Sequence, residues 1–403
     1  MGFVTEAEKK VNVIGDYDVA VAGGGVAGIA AALAAARQGK KTVLIEKQFA
    51  LGGLGTLGLI TIYLPLCDGC GNQVSFGIAE ELLKLSVKHG YEEQFFEERN
   101  YTDECFKTWL ETGKNESGSN QRYQVRYNAN VFAILCEQLL IENGVEILYG
   151  TSVCDVIMNN DKISHLLIEN KSGRSALAVK SVVDSTGDAD VVKMSGEKTV
   201  LFSQGNILAA WYYFLNKDEV DLKMLGFSDI PDKYKTEEQK KVPSKRYVGV
   251  TGEELSEMTI DAHRYLLDNF LKDGGINKNH HLSTIATIPQ IRMTRRIDGK
   301  YTLDDTEMHK HFDDSIGKCS DWRKSGPVYE IPFSTLHGTT VKNIITAGRC
   351  ISVTDAMWDI TRVIPVCAVT GEAAGTAAAM CDDFDNIDIK LLQQKLTENG
   401  VRL

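Results

Sequence analysis

The amino-acid sequence predicts an α/β fold, and three neighbouring segments of the 403-residue chain support this prediction. Residues 17–22 (YDVAVA) form a short apolar run before glycines, which is typical of a buried strand. The alanine-rich residues 26–38 predict a helix, and residues 41–46 (KTVLIE) predict a second buried strand. A strand, a helix and a strand over about 30 residues form a βαβ unit, so we expect a Rossmann-type domain.

Downstream of this unit, the pattern predicts a helix and then an antiparallel meander. Residues 130–143 place apolar side chains on one helical face, and Gly144 follows where a C-cap is expected. Apolar and polar residues then alternate, with turn residues between the runs, in the segments 145–150, 151–158, 162–169 and 176–185.

The second half of the chain mixes helices and strands. We predict a strand within residues 206–216, a helix over residues 253–273 and paired strands within residues 287–303. Residues 342–348 (KNIITAG) predict a further strand, and residues 363–381 predict a helix.

Because single hydrophobic cores stop growing near about 250 to 300 residues, we expect two domains. The first is a discontinuous domain that contains the βαβ unit and is made of residues 12–72, 128–195 and 335–403. The second is a mixed α+β cap or substrate domain made of residues 73–127 and 196–334. The active site is expected between them. The polar, glycine-bearing residues 112–121 predict a surface loop.

Composition and charge make several partner classes poor expectations. The chain carries 55 acidic and 44 basic side chains, a formal net charge of −11, which repels nucleic acid and anionic lipid. It has no run of about 18 apolar residues and no apolar segment near the N-terminus, so we expect neither a membrane span nor a signal peptide. The nine cysteines do not resemble a secreted disulfide framework. We therefore expect a cytoplasmic protein with reduced thiols.

The strongest motif lies between the first predicted strand and helix. Residues 23–28 (GGGVAG) fit G-x-G-x-x-G, in which Gly23 permits the tight turn and Gly25 lets backbone N–H groups approach a pyrophosphate. Gly28 allows the helix to pack closely on the strand. Glu46 ends the second strand, where an exposed carboxylate can accept hydrogen bonds from ribose hydroxyls. These features predict a dinucleotide site.

The fingerprint alone does not separate FAD from NAD, but four further motifs carry a resemblance. In order along the chain they are 51–58 (LGGLGTLG), 183–190 (VDSTGDAD), 347–352 (AGRCIS) and 362–378 (RVIPVCAVTGEAAGTAA). They resemble the motifs of FAD-dependent oxidoreductases of the glutathione-reductase-type-2 superfamily. Over residues 18–382 the chain is most similar to a bacterial family named FAD-dependent oxidoreductase, which is distantly similar to fumarate reductase flavoproteins. The resemblance implies FAD as the cofactor and a Rossmann-type FAD-binding domain.

The resemblance also implies contacts for each part of the cofactor. The glycine-rich turn at 52–56 suits the flavin and ribityl chain, Val153 matches a position whose backbone meets adenine, and the turn at 186–188 lies against the flavin nucleotide. Many relatives have Gly-Asp where this chain has Gly348-Arg349, and an arginine could instead hold the pyrophosphate by charge. The residues expected to bind FAD are Gly23, Gly24, Gly25, Val26, Ala27, Gly28, Glu46, Lys47, Gly52, Gly53, Thr56, Val153, Thr186, Gly187, Asp188, Gly348, Arg349, Arg362 and Gly371.

Arg362 has a second expected role, because it stands where the C-terminal helix begins. Reduced flavin carries negative charge near N1 and O2, and a helix N-terminus or a cation placed there stabilises it. By resemblance to the family, Arg362 or the adjacent backbone is expected to contact the flavin.

The candidates for substrate chemistry are Arg292, His337, Asp355 and Arg362. Arginines on strands of a cap domain often bind anionic substrates, although Arg292, Arg295 and Arg296 also suit a solvated or salt-bridged strand face. His337 could transfer a proton near neutral pH or be a packed histidine. Asp355 is expected, with Trp358 and Asp359, in a loop between Arg349 and Arg362.

Cys67 and Cys70 form a C-x-x-C pair, which can be a redox dithiol, half of a zinc site or two structural cysteines. No second C-x-x-C and no suitably spaced histidine pair completes four zinc ligands, and no second dinucleotide motif accompanies a dithiol. We therefore expect structural cysteines and no metal.

These observations lead to a functional hypothesis with two alternatives. The leading hypothesis is hydride transfer between flavin N5 and a small organic substrate that can be anionic, with a separate electron donor or acceptor as partner. The alternatives are an ene-reductase of the fumarate-reductase kind and a flavin-binding protein without turnover.

Overall fold

A computed structural model describes residues 2–5, 7–70, 72–89, 125–226, 235–237 and 245–403. The surface loop predicted at residues 112–121 lies outside these residues.

The described residues form strands in five sheets. The strands are β1 (Val13–Ala22), β2 (Thr42–Ile45), β3 (Ile62–Tyr63), β4 (Val125–Arg126), β5 (Glu146–Leu148), β6 (Ser152–Asn159), β7 (Lys162–Asn170), β8 (Gly173–Asp184), β9 (Thr199–Leu201), β10 (Tyr212–Asn216), β11 (Glu219–Lys223), β12 (His280–Ile285), β13 (Arg295–Ile297), β14 (Ser315–Ser320), β15 (Val328–Pro332) and β16 (Ile344–Thr346).

The α-helices of the described residues include short connectors and long core helices. They are α1 (Val26–Arg37), α2 (Ile78–Val87), α3 (Ala129–Glu142), α4 (Asp190–Met194), α5 (Gly252–Lys272), α6 (Asp355–Thr361), α7 (Ile364–Met380) and α8 (Ile389–Glu398).

The largest sheet combines a parallel part with an antiparallel meander. Its strand order is β5-β2-β1-β8-β7-β6, and β16 pairs with β8 in addition. Strands β5, β2, β1, β8 and β16 run parallel, whereas β6, β7 and β8 are antiparallel. The predicted βαβ unit is therefore present as β1, α1 and β2, in a mixed α/β sheet.

One strand of the predicted meander was assigned wrongly. Residues 145–150 contain β5, which pairs in parallel with β2 and has no place in the antiparallel β6–β7–β8 meander. Alternation of apolar and polar residues indicates a strand but does not give its direction. The helix α3 that precedes β5 carries the chain across the sheet, and a strand reached by such a crossover runs parallel.

Helices α1 and α7 pack against each other through backbone as well as side chains. A Cβ atom at Gly371 would overlap the carbonyl oxygen of Ala27, and one at Gly375 would overlap the carbonyl oxygen of Ala31. Nearly all of α7 is buried. Gly371, expected to bind the cofactor, is therefore a helix-packing residue that lets α7 approach α1 closely.

A second, smaller core packs around β10. Strands β11, β10 and β12 form an antiparallel sheet, and Tyr212, Leu266 and Phe270 pack between that sheet and α5. The helix predicted at 253–273 is confirmed as α5. The prediction that residues 287–303 contain two strands paired with each other is wrong, because β13 from that segment pairs with β9 instead.

The segment between Arg349 and Arg362 is not the predicted loop. It contains α6, capped by the Thr354 side chain, which accepts a hydrogen bond from the Met357 N–H group. Asp355, Trp358 and Asp359 therefore lie on a helix.

Among the described residues, no single helix combines the length and the apolar character that a membrane crossing requires. The consecutive helices α6 and α7 satisfy those criteria only together, with a bend of 91° between them.

A buried carboxyl on α7 connects the helix pair to α2. Glu372 is 1% exposed, and its Oε2 atom accepts a hydrogen bond from the Ile78 N–H group at 2.8 Å. Burial raises the pKa of Glu372 to about 7; Glu81 adds to the shift, while the Ile78 N–H group and Arg37 oppose it. Between about pH 4.5 and pH 7, Glu372 therefore keeps a proton in the folded chain that it has lost in the unfolded chain.

We expect Glu372→Gln to make stability less dependent on pH. Because the pKa is raised in the folded state, the wild type loses stability as pH rises from about 4.5 to about 7. Glutamine keeps an oxygen that can accept the Ile78 N–H bond but carries no charge. At pH 8 the variant should be more stable than the wild type by on the order of 2 kcal/mol, and at pH 4.5 by much less. Urea unfolding at both pH values, with Glu142→Gln on the exposed face of α3 as control, measures this difference. An equal difference at both pH values would contradict it.

Candidate functional site

A cavity of about 480 Å³ opens at one edge of the parallel sheet. Its walls come from the residues that follow β1, β2, β8 and β16 at their carboxyl ends, together with the first turn of α1. In open α/β sheets this edge is where ligands bind. The cavity is therefore the candidate functional site of the described chain.

The glycine-rich turn after β1 has the geometry that its motif predicts. Gly23 has φ +101°, and a Cβ atom there would lie 2.6 Å from the Ser185 carbonyl oxygen. A Cβ atom at Gly28 would overlap the Gly23 carbonyl oxygen. By contrast, a Cβ atom at Gly25 would have no atom within 4 Å. Gly25 is the N-cap residue of α1 and provides no side-chain cap, so the first-turn N–H groups are available to an anion.

Glu46 lies at this turn but is not the exposed carboxylate that was expected. It is 7% exposed, and its two oxygens accept hydrogen bonds from the N–H groups of Gly24 and Gln48, each at 2.7 Å. The carboxylate therefore fixes the glycine-rich turn as well as lining the cavity. Its removal would leave a buried N–H group without its acceptor, so its effect cannot be confined to a ligand.

A second glycine turn closes over the first. Gly52 and Gly53 have φ +99° and +53°, and the Gly52 N–H group donates to the Gly24 carbonyl at 2.8 Å. The Thr56 hydroxyl donates to the Leu51 carbonyl at 2.5 Å. Gly52 and Gly53 line the cavity, whereas Thr56 stabilises the turn from behind.

The turn after β8 joins the two sides of the cavity. The Ser185 hydroxyl is within hydrogen-bonding distance of the carbonyl oxygens of Ala22 and Gly23, at 2.9 and 2.8 Å. Asp184 is buried and accepts hydrogen bonds from Thr186 and from the Val192 N–H group. Burial raises the pKa of Asp184 against these hydrogen bonds. The turn is thus held by backbone and buried side chains rather than by solvent-exposed contacts.

Two arginines line the far end of the cavity. Arg349 donates from Nη1 to the Arg292 carbonyl at 2.7 Å and lies 3.5 Å from the Asp188 carboxylate. It packs over Gly187, where a Cβ atom would overlap its guanidinium group. Arg362, between α6 and α7, donates from Nε and Nη2 to Asp359 Oδ1 at 3.1 and 2.5 Å.

The structure brings most of the predicted cofactor residues together. Those that line the cavity are Gly23, Gly25, Val26, Ala27, Glu46, Lys47, Gly52, Gly53, Val153, Thr186, Gly187, Asp188, Gly348, Arg349 and Arg362. Gly24, Gly28, Thr56 and Gly371 do not line it. Each of these four has the packing or hydrogen-bonding role described above, one layer behind the wall.

Of the candidates for substrate chemistry, only Arg362 lines the cavity. Asp355 is hydrogen-bonded to the N–H and hydroxyl groups of Ser203. Arg292 is 3% exposed, donates from Nη1 to the Gln290 carbonyl at 2.7 Å and lies over the Trp211 ring. Burial, followed by the charges of Arg362 and Arg349, holds the pKa of Arg292 well below its usual value.

His337 is packed in the core. Its ring contacts the rings of Phe333 and Phe384, with centroids 5.0 and 6.4 Å away, and it is 4% exposed. Burial, with the charge of Lys300, lowers the pKa of His337 to about 4. The ring is therefore neutral near pH 7, and nothing in this packing places it at the cavity.

Sequence reasoning missed several parts of the cavity wall, among them Asp190 and a group of residues between 255 and 291. Asp190 lines the cavity, forms an ion pair with Arg295 at 2.5 Å and has its pKa raised to about 6, chiefly by burial. Its position in the 183–190 motif was the available signal. Leu255 and residues 287–289 and 291 also line the cavity; they carry no motif and are brought there by tertiary contacts, among them the hydrogen bond from the Thr287 N–H group to the Leu57 carbonyl.

The C-x-x-C segment forms a turn. Cys67 is buried, Cys70 is exposed, and neither is in a disulfide. Between them Asp68 accepts hydrogen bonds from the N–H groups of Cys70 and Asn72. Within the described ranges, no group of three or more histidine, cysteine, aspartate or glutamate side chains is arranged to hold a metal ion.

Comparison with known proteins identifies a family. The family described as "FAD dependent oxidoreductase" matches residues 18–210 and 212–396 of this chain. A thiamine thiazole synthase of Methanococcus vannielii is 29% identical over 194 residues, which are 45% of this chain and 61% of that protein. A thioredoxin reductase of Ureaplasma parvum serovar 3 is 34% identical over 76 residues, 19% of this chain and 25% of that protein. The matched segments thus span about a quarter to three fifths of these curated relatives.

Two solved structures align with most of this chain at low sequence identity. The p-nitrophenol 4-monooxygenase of Pseudomonas putida DLL-E4 aligns with a TM-score of 0.48 and 13% identity, covering 96% of this chain and 84% of that one. An open flavocytochrome c3 fumarate reductase aligns with a TM-score of 0.41 and 13% identity, covering 91% and 78% of the two chains.

We expect the His337 ring to stay neutral down to about pH 4 in the folded protein. Because its pKa is lowered relative to the unfolded chain, the unfolded state binds the proton first, and stability falls as pH falls from about 6.5 to about 4. NMR of the protein labelled at histidine, with His337→Gln to assign the resonance, gives the midpoint directly. A midpoint above pH 6 would contradict the packing described here.

Proposed function

The chain belongs to the FAD dependent oxidoreductase family, and we propose that it transfers a hydride between N5 of FAD, held in the cavity, and a small organic substrate. The observation that supports this proposal best is the pairing of two walls. The nucleotide-binding turns form one wall, and Leu255 with residues 287–289 and 291 form the other. A site between them accommodates a cofactor on one side and a second molecule on the other.

The residues of the first wall fit FAD. The open space at Gly25 and the uncapped start of α1 suit the pyrophosphate, since the N-terminus of a helix attracts phosphate oxygens. We propose that the Gly52–Gly53 turn and the 186–188 turn hold the ribityl and flavin parts, and that Val153 meets the adenine. The remaining cavity-lining candidates named above complete the FAD site.

When bound, FAD supplies a two-electron acceptor or donor at N5, next to the bound substrate. The chain's own residues position the substrate and exclude water. Because the flavin must be returned to its starting state, we propose a separate electron donor or acceptor as a partner. We also propose that residues 12–72, 128–195 and 335–403 form the FAD-binding domain. The remaining residues, 73–127 and 196–334, would then form the cap.

The charge at the far end of the cavity favours an anionic substrate. Arg349 and Arg362 line that end, and Arg292 lies behind it without a carboxylate within ion-pair distance among the described residues. A buried guanidinium without a paired anion is costly. We propose that a substrate carboxylate, bound near Arg349 and Arg362, compensates this excess of positive charge.

The FAD site is tested by Gly25→Val. The backbone at Gly25 has φ −67° and ψ 176°, which any residue adopts, and a Cβ atom there meets nothing, so the variant should fold. The added side chain would occupy the space that the pyrophosphate needs. We expect FAD affinity to fall at least tenfold, or about 1.4 kcal/mol, with unfolding by urea unchanged.

A matched control for this variant is Gly252→Val. Gly252 begins α5 and also has open space around a Cβ atom, but it does not line the cavity. Fluorescence titration of both apo variants with FAD compares them. Equal FAD affinity in Gly25→Val and wild type would exclude the proposed site.

The reaction class is tested by anaerobic absorbance spectra of the purified, FAD-loaded protein. We expect an anionic hydroxy acid or related carboxylate to bleach the oxidised flavin band, or an enoate to restore the band of protein reduced beforehand. The corresponding amides, which lack the charge, should act at least tenfold more slowly. Restoration by enoates alone would identify an ene-reductase. No response in either state, across hydroxy acids, enoates, sugars and amines, would indicate a flavin-binding protein without turnover.

A further inference from the structure

Four charged side chains of alternating sign connect the cavity to a turn between β14 and β15. Arg362 lines the cavity and donates to Asp359 Oδ1. The other oxygen of Asp359 accepts a hydrogen bond from Arg323 Nη1 at 3.3 Å. Arg323 in turn donates from Nε and Nη2 to the two oxygens of Asp321, both at 2.9 Å. We call these residues the charge chain.

The charge chain is largely removed from solvent. The side chains of Asp321 and Asp359 are 0% and 1% exposed, that of Arg362 is 9% exposed and that of Arg323 is 18% exposed. Charges in such surroundings interact more strongly than they would in water, because the effective dielectric constant is lower. A change of charge at any member of the charge chain therefore changes the electrostatic potential at the cavity.

The two carboxylates offset the two guanidinium groups. Asp359 lies between Arg362 and Arg323, so its single negative charge is shared between two cations. The hydrogen bonds and charge of Asp321 raise the pKa of Arg323 despite its burial, which lowers it. Arg323 is thus held in its charged form beside Asp359. Its positive charge partly cancels the negative potential that Asp359 produces at Arg362.

The backbone around Asp359 has its own supports. The Trp322 indole N–H group donates to the Asp359 carbonyl at 2.9 Å, and the Arg362 N–H group donates to the Trp358 carbonyl at 3.0 Å. These bonds do not involve the four charged groups. A change of charge in the chain can therefore be made while the contacts that place Arg362 at the end of α6 are retained.

We propose that Asp359 and Arg323 are positioning residues that set the net positive charge Arg362 presents to the cavity, and thereby the reduction potential of the bound FAD. The proposal rests on the proposed function, since it requires FAD in this cavity. Reduced FAD carries more negative charge than oxidised FAD, so a more positive surrounding favours reduction. The sign of each substitution follows from the alternation of charges.

Two substitutions should shift the potential in opposite directions. Asp359→Asn removes a negative charge next to Arg362 at nearly constant shape, so it should raise the potential. We expect about a tenfold change in the ratio of reduced to oxidised FAD at a fixed dye potential, which is about 30 mV for a two-electron couple. Arg323→Met removes a cation next to Asp359, so it should lower the potential. Arg323→Lys keeps the charge, so its ratio of reduced to oxidised FAD should stay within threefold of the wild-type ratio.

The experiment is a dye-coupled redox titration of the FAD-loaded wild type and the three variants, with FAD dissociation constants measured on the apo proteins. Opposite shifts in Asp359→Asn and Arg323→Met support the proposal. Shifts in the same direction overturn it. A ratio of reduced to oxidised FAD within threefold of the wild-type ratio in both variants overturns it as well.

Loss of folding or of FAD in these variants is also decisive. Where Asp359→Asn or Arg323→Met does not fold or bind FAD, Asp321→Asn replaces it in the titration. This substitution removes the negative charge paired with Arg323, so it should raise the potential as Asp359→Asn does. If every variant of the charge chain loses FAD, the chain is only structural and the proposal fails. A wild-type protein that binds no FAD would instead contradict the proposed function, so the two failures are distinct.

Discussion

The close approach of α1 and α7 is the constraint on which the site depends. Gly371 and Gly375 bring the backbone of α7 against the carbonyl groups of Ala27 and Ala31, an approach that a single methyl group on either glycine would prevent. Because Val26 and Ala27 form the start of α1, and Arg362 lies just before α7, this contact fixes one end of the cavity relative to the other. Interiors packed at this density do not adjust gradually. The positions of the glycine-rich turn after β1 and of Arg362 therefore depend on a single helix pair.

Buried polar groups then hold the loops that the helices bring together. Glu46 fixes the first glycine turn, Ser185 bonds to the end of β1, and Asp184 organises the turn after β8. In each case a side chain accepts or donates where the backbone leaves a group unpaired, which would otherwise cost about 1 to 3 kcal/mol. The same arrangement explains why residues expected to touch a ligand lie one layer behind the cavity. A loop that binds through its backbone needs side chains behind it.

The sequence predicted the parts of the fold whose signal is local. The βαβ unit, α5 and the glycine-rich turn each have a continuous pattern of apolar residues or glycines, and the structure contains all three. The direction of β5 and the partner of β13 depend on segments far along the chain, so no local pattern could give them. The burial of Glu46 likewise depends on how the turn folds back. The wall formed by residues 287–289 and 291 has no motif, because its contacts, including the hydrogen bond from the Thr287 N–H group to the Leu57 carbonyl, join segments that are far apart in the sequence.

Strand β8 is shared between both parts of the large sheet, and this has a consequence for how the protein is made. On one side its second half pairs with β1, and on the other with β16, which lies about 160 residues further along the chain. During synthesis β1 and β8 can pair while the ribosome is still adding the residues between β8 and β16, but the apolar edge of β8 stays open until β16 emerges. An open edge of this kind recruits other strands. Nascent chains that stall before residue 344 should consequently be the species that chaperones and proteases must recognise, since the cavity and the cover of that edge are completed by the same late segment.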